Sequence, residues 1–295
     1  MLKKTLDLKE TLIDKGKNSD INIDSFISLL QETCIKQNQE TFTNSQNIEK
    51  LYLHAVLISA FFQLTEYSLQ NWNRYFEHFK EISKILDIKT KQTEGKILEL
   101  LVLHTINRVF NFTLKSSKIK AYIANNDSNP TCLLDDTFDI NSLSKDDNKR
   151  LINNLTVKMK IRGEPAKEVW GDNDLIVCIE NQNLIQQFCI ISCKVSLRER
   201  VYQSVFWSLH SRLEGTGKHI FVTLDKGNNG KSEIGSRLIG EKARKTRNVL
   251  ESTMDRVYVF RSEKEVNRSQ VIKGFKFLEW DLENWAKDFI GTTKP

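Results

Sequence analysis

Two short apolar runs in the middle of the chain, Leu175–Ile179 and Phe188–Ile191, set the strongest limit on what this sequence can fold into. Both are rich in β-formers, and the stretch between them, Glu180–Gln187, is mostly polar. That pattern predicts a β-hairpin buried in a core. Charged residues bracket it. Asp172 and Asp174 stand at the mouth of the first strand, Lys194 ends the second, and Arg198, Glu199 and Arg200 follow at the head of a helix predicted over Val201–Leu213. Each has a plain structural alternative, since Asp favours turns before strands and a Lys after a strand is commonly a solvated strand end. The conjunction says more, because these charges flank strands that are almost wholly apolar inside.

The chemistry available there is specific. A carboxylate and a lysine at adjoining strand ends suit a divalent metal ion and an activated water. An Arg-acid-Arg triplet has the donors and acceptor needed to read base edges, although the same three residues can form ion pairs on a helix surface.

At 295 residues the chain can form one large or two modest domains. A net charge of +6 leans mildly toward a polyanionic partner. The five cysteines are odd in number and lack CxxC pairs. Three lie in or beside the two apolar runs and read as small buried hydrophobes of a reducing compartment. The histidines are scattered with no HxxxH pair, which argues against zinc. No apolar run approaches a membrane span and no leader-like segment opens the chain, so a soluble intracellular protein is expected.

Residues 1–50 are polar, with an amphipathic patch at Ile23–Ile35, and predict one or two short surface helices. Ile48–Leu86 is strongly helical, first a largely buried helix and then a stripe from Trp72 to Ile85 at three-to-four spacing. Thr93–Phe112 predicts a further helix with a lone carboxylate, Glu99, in an apolar centre. Such a group is costly to bury alone, so it either pairs with Lys96 or faces a site, and Glu94 is its substitute. Turn formers fill Lys115–Lys149 and predict a surface insertion. Lys158–Arg162 reads as a solvated edge or a groove lining. His219–Leu224 and Arg256–Arg261 predict further strands, the first parallel to its neighbour across the intervening helix. Asp225–Ser232 nearly spells a phosphate loop but has Asp225 where the first glycine belongs, so a loop over DNA phosphates is the better reading. Ile239–Glu251 predicts a basic helix whose Lys242, Arg244, Lys245 and Arg247 are candidate phosphate contacts. Trp280 and Trp285 are expected to anchor a terminal helix.

Asp174 followed by LIVCI, and then ISCKVSLRER, resembles the active-site and recognition segment of type II restriction endonucleases of the PD-(D/E)XK fold. Within them it is most similar to the group that cleaves CCGG-containing and CCNGG- or CCWGG-type sites. The resemblance covers Trp170–Trp207. It implies an α/β (α+β) fold with a central mixed sheet flanked by helices. A helical region at 1–90 would precede a catalytic core at 91–295, with an irregular insertion near 115–155. It implies Mg²⁺-dependent cleavage of double-stranded DNA at a GC-containing palindrome by a homodimer or higher homo-oligomer in bacterial or archaeal cytoplasm. Asp174 becomes a metal ligand and Lys194 the catalytic lysine. Arg198, Glu199 and Arg200 become base readers, and Asp172 an alternative ligand. The acid expected two positions before the lysine is Ser192, and the place where such enzymes regain a glutamate holds Trp207 and Ser208, with Glu214 further on. The second carboxylate is therefore expected from Glu99. The alternatives are a repair or recombination nuclease of the same fold, or a DNA-binding module without catalysis.

Overall fold

The computed structural model describes residues 2–36, 46–110, 119–125, 132–139, 141–160, 162–171, 173–181, 184–197, 200–213, 217–227, 231–236, 244–262 and 269–292. The chain divides into two compact units, Met1–His104 and Thr105–Pro295.

The first unit holds helices α1 (Leu2–Gly16), α2 (Ile23–Lys36), α3 (Asn47–Leu64), α4 (Leu69–Glu77), α5 (Phe79–Ile85) and α6 (Glu94–His104). Every residue of α3 from Leu51 to Phe62 is buried, the pattern of a helix surrounded on all sides. The stripe expected from Trp72 to Ile85 is real, but the helix breaks at His78 into α4 and α5. The amino-terminal helices are less superficial than expected. Leu8, Leu12, Phe26 and Leu30 are at most 1% exposed, each contributing about 1.5–3 kcal/mol by burial. Lys9 is buried with them. Its ammonium donates to Ser59 Oγ at 3.1 Å and lies 2.9 Å from His104 Nε2, whose other nitrogen is 3.0 Å from Tyr52 Oη. Burial pulls the Lys9 pKa down to about 8. His104 is thus a satisfied core histidine.

The second unit is built on a sheet. Its strands are β1 (Ile119–Asn125), β2 (Cys132–Leu134), β5 (Leu175–Asn181), β6 (Leu184–Lys194), β7 (Lys218–Thr223), β8 (Arg256–Val259) and β9 (Ile272–Gly274), in the order β2-β1-β5-β6-β7-β8-β9. The β2-β1-β5-β6 side is antiparallel and the β6-β7-β8-β9 side parallel. A separate antiparallel pair joins β3 (Thr156–Met159) to β4 (Lys167–Trp170). The helices are α7 (Lys145–Leu155), α8 (Arg200–Leu213), α9 (Lys245–Thr253) and α10 (Leu278–Thr292). The expected mixed sheet flanked by helices is what the chain forms.

Residues 115–155 need correction. They are not an irregular insertion, because β1, β2 and α7 lie there and β1 pairs with the central β5 from Ile119↔Ile179 to Ile123↔Leu175. Tyr122 and Leu133 join Leu151, Ile152 and Leu155 of α7 against Ile176 and Ile190 in one apolar cluster. A second cluster sets Leu197, Val201, Leu250 and Met254 against Phe221, Val257 and Val259. The predicted hairpin forms with Leu175 opposite Ile191, and a β-bulge leaves Phe188 between the pairs Val177↔Cys189 and Cys178↔Gln187. Cys178, Cys189 and Cys193 are buried and unbridged, as expected of small core residues, and burial pushes the Cys178 and Cys189 thiols up. Trp280 is 58% exposed and anchors nothing in the core, whereas Trp285 is half-buried under Lys218 and Arg256.

Candidate active site

An antiparallel hairpin puts the start of one strand beside the end of the other. Here that juxtaposition brings Asp174 to Lys194. Alternation from Ile176 and Ile190 sets Asp174, Ser192 and Lys194 on one face of the sheet. The Asp174 main chain is fixed from both sides, its N–H donating to Ile191 O at 3.2 Å and its carbonyl accepting from Ala124 N at 3.0 Å. Its Oδ2 accepts from Cys193 N at 2.6 Å and from Lys194 Nζ at 2.9 Å. The two side chains are 16% and 9% exposed, so this is a largely desolvated ion pair still within reach of a ligand.

Ser192, at the position of the missing acid, is fully buried with its Oγ 3.1 Å from Nε2 of the buried His219. The position of the missing acid therefore holds a hydroxyl–imidazole pair. Ser208 is no replacement, since it is buried and its Oγ donates to Thr253 O at 3.2 Å.

Directly beside β6 lies a second charged node that the sequence reading missed. Asp225 follows β7 in the left-handed region, at φ 54°. Its carboxylate accepts from Ser232 Oγ, from Glu233 N at 2.6 Å and from Ile234 N at 3.0 Å, and it pairs with Arg261 at 2.9 Å. Burial nonetheless raises its pKa. The near-phosphate-loop sequence is thus organised around its own aspartate in place of an anion. The available signal was that same Asp225, standing where a phosphate loop needs glycine.

Glu99 lies in α6 of the first unit, where it accepts from Lys96 Nζ at 2.5 Å, and Glu94 is in the first turn of the same helix. Asp172, Arg198, Glu199, Glu214 and Lys242 lie outside the described residues, and Arg200 is described only as the first residue of α8. Lys245 is exposed at the start of α9. Arg247 is not a phosphate contact, being fully buried with Nε 3.0 Å from Glu251 Oε1 and Nη1 donating to Gly235 O. Lys158, Lys160 and Arg162 are exposed.

A hard divalent cation suits the donor chemistry of Asp174, because such ions are held by one or two carboxylates together with water and substrate phosphate. Among the described residues, no group of three or more His, Cys, Asp or Glu side chains is placed to hold a metal by itself. The fit therefore extends to a shared site completed by solvent and substrate, not to a closed cage.

The class of protein comes from comparison with known families, which covers the segment carrying this charged pair. Residues 144–281, just under half of the chain, match the family model described as BsaWI restriction endonuclease type 2. The matched segment contains β5, β6, Asp174 and Lys194, and it marks the chain as a type II restriction endonuclease, a hydrolase. Enzymes of this type generally use divalent metal ions. The chain is also similar to the solved "Crystal structure of pre-specific restriction endonuclease BsaWI-DNA complex", at 13% identity over 97% of this chain and 92% of that one. The TM-score is 0.36, a superposition too loose to carry any argument about side chains. No curated protein matches the chain. No helix among the described residues is long and apolar enough to cross a membrane.

Proposed function

We propose that this chain is a Mg²⁺-dependent type II restriction endonuclease of the PD-(D/E)XK fold that cuts double-stranded DNA at a GC-containing, CCGG-like palindrome, acting as a homodimer or higher homo-oligomer in prokaryotic cytoplasm. The observation that carries this reading is the desolvated Asp174–Lys194 pair at the open end of the central hairpin.

Asp174 is the carboxylate assigned to the metal, with Asp172 as a further donor. When bound, the ion neutralises phosphate charge and lowers the pKa of a water. Lys194 is assigned to orient the attacking water and to stabilise the negative charge that builds on the phosphate oxygens, and its hydrogen bond to Asp174 supports that assignment. The partial burial of the pair strengthens both effects by excluding bulk solvent. Arg198 and Arg200 are assigned to guanine edges and Glu199 to cytosine N4. Lys242 and Lys245 are assigned to backbone phosphates, contacts that fix register without reading sequence.

The test is incubation with unmethylated phage DNA in Mg²⁺ and in EDTA, beside Lys194→Ala. Discrete fragments that require Mg²⁺ and vanish in the variant are expected, and sequencing their ends gives the site. A smear would mark a nuclease without site preference. Specific retention of DNA without cleavage by either protein would sink the enzyme reading and leave a binding module, the outcome that Ser192 in the acid position favours.

A further inference from the structure

The chain leaves the active site through Val195, Ser196 and Leu197 before reaching the Arg198–Arg200 triplet. Two hydrogen bonds hold that exit. Lys226 N donates to Val195 O at 3.3 Å, and Leu197 N donates to Glu233 Oε2 at 2.5 Å. An amide donating to a carboxylate is among the stronger hydrogen bonds a backbone makes.

Glu233 is itself held in place. Its own N–H donates to the Asp225 carboxylate, and the Lys231 carbonyl two residues earlier accepts from Gly227 N at 3.1 Å. Gly227 is tightly enclosed, since a Cβ there would stand 2.7 Å from Glu233 Cγ and 2.5 Å from Lys231 O. From the other side, Ile234 O accepts from Arg244 N, and Gly235 O accepts from the buried Arg247 guanidinium. The loop is braced by β7, α9 and Arg261, and its free carboxylate arm reaches the strand exit.

We propose that Glu233 is a positioning residue of the nuclease: braced by the Asp225-centred loop, it fixes the Leu197 amide and so sets the path from Lys194 to the triplet. This rests on the functional reading above. It makes Glu233 a determinant of sequence discrimination that touches neither the scissile phosphate nor a base. The carboxylate matters here as a hydrogen-bond acceptor, so an amide oxygen at the same place performs the same task.

The test compares wild type with Glu233→Ala, Glu233→Gln and Gly227→Ala by two readouts. One is backbone hydrogen exchange over 195–200. The other is the ratio of cleavage rates at the cognate site and at a site altered by one base pair. In Glu233→Ala, exchange is expected to speed up and the ratio to fall about tenfold, the scale of one lost base contact. Glu233→Gln is expected to restore most of both. Gly227→Ala, which leaves the carboxylate intact but displaces it, is expected to reproduce the alanine phenotype partially. If Glu233→Gln is as defective in cleavage as Glu233→Ala, the carboxylate acts directly on metal or DNA and the positioning role is overturned. Wild-type exchange in Glu233→Ala overturns the clasp itself. Should the wild-type protein cut no DNA, the functional reading fails while the exchange experiment still decides the clasp.

Discussion

Two acidic residues end up on either side of β6 in one sheet, Asp174 before β5 and Asp225 after β7, each against a cation, and their surroundings differ. Asp225 is 1% exposed in its side chain and is wrapped by a hydroxyl, two amides and a guanidinium within its own loop. Asp174 is 16% exposed and its partner is a lysine, a compact and mobile point charge. The first arrangement spends its acceptors on fixing backbone. The second keeps a carboxylate and an ammonium side by side with part of the carboxylate exposed. Both accept from main-chain amides, but Asp225 is closed in by its own loop and a planar guanidinium, whereas Asp174 has a lysine beside it and more of its carboxylate open.

Removing each cluster's key group should therefore fail in different ways. Lys194→Ala is expected to lower cleavage by about 10³-fold or more, measured as single-turnover rate, while thermal unfolding still shows a folded protein. Cleavage within tenfold of wild type would erase the distinction. Asp225→Ala should do the reverse, removing the carboxylate that pairs with the largely enclosed Arg261 guanidinium. A loss of about 3–5 kcal/mol in urea unfolding is expected, with the rate per folded molecule falling less than tenfold.

The unequal legibility of the two nodes has the same physical origin. Asp174 and Lys194 could be found in the sequence because they bracket two apolar runs, Leu175–Ile179 and Phe188–Ile191, whose character announces buried strands. β7 and β8 were legible for the same reason. β1 was not. Its sequence, Ile119-Lys120-Ala121-Tyr122-Ile123-Ala124-Asn125, is flanked by lysines and turn formers, and only pairing with β5 shows that Ala121 and Ile123 are core. Asp225 and Glu233 do their work through main-chain amides, which every residue offers, so no pattern of side-chain types marks them. Arg247 was misread because charge along a helix does not say which face is buried; its guanidinium found Glu251 and a carbonyl inside. Trp280 erred the other way, a large aromatic left exposed beside Lys273.

A third buried cation sharpens the comparison. Among the described residues Lys9 is bonded to Ser59 and His104 and to no carboxylate, and its pKa drops from 10.5 to about 8. Between those values the unfolded chain still holds the proton that the folded unit has released. Stability therefore rises as pH increases through this window, by up to about 1.4 kcal/mol per pH unit from this group. Lys9→Met should remove that increase in unfolding experiments between pH 8 and 10. An unchanged slope would show that Lys9 is solvated in the native state.

The smallest expected effect tests whether the site has lost its second acid or merely disguised it. Ser192 occupies the acid position on the same strand face as Lys194, yet its hydroxyl is 3.1 Å from His219 Nε2 and no part of it is exposed. A group enclosed in this way cannot meet a phosphate without opening the sheet. Ser192→Ala therefore removes the hydrogen bond to His219, costing about 1 kcal/mol of stability, and leaves the cleavage rate within twofold. A fall of a hundredfold would place the hydroxyl, or His219 behind it, in the chemistry. The contrast with Asp225 would then vanish, because a buried and locally satisfied group would be acting on the substrate.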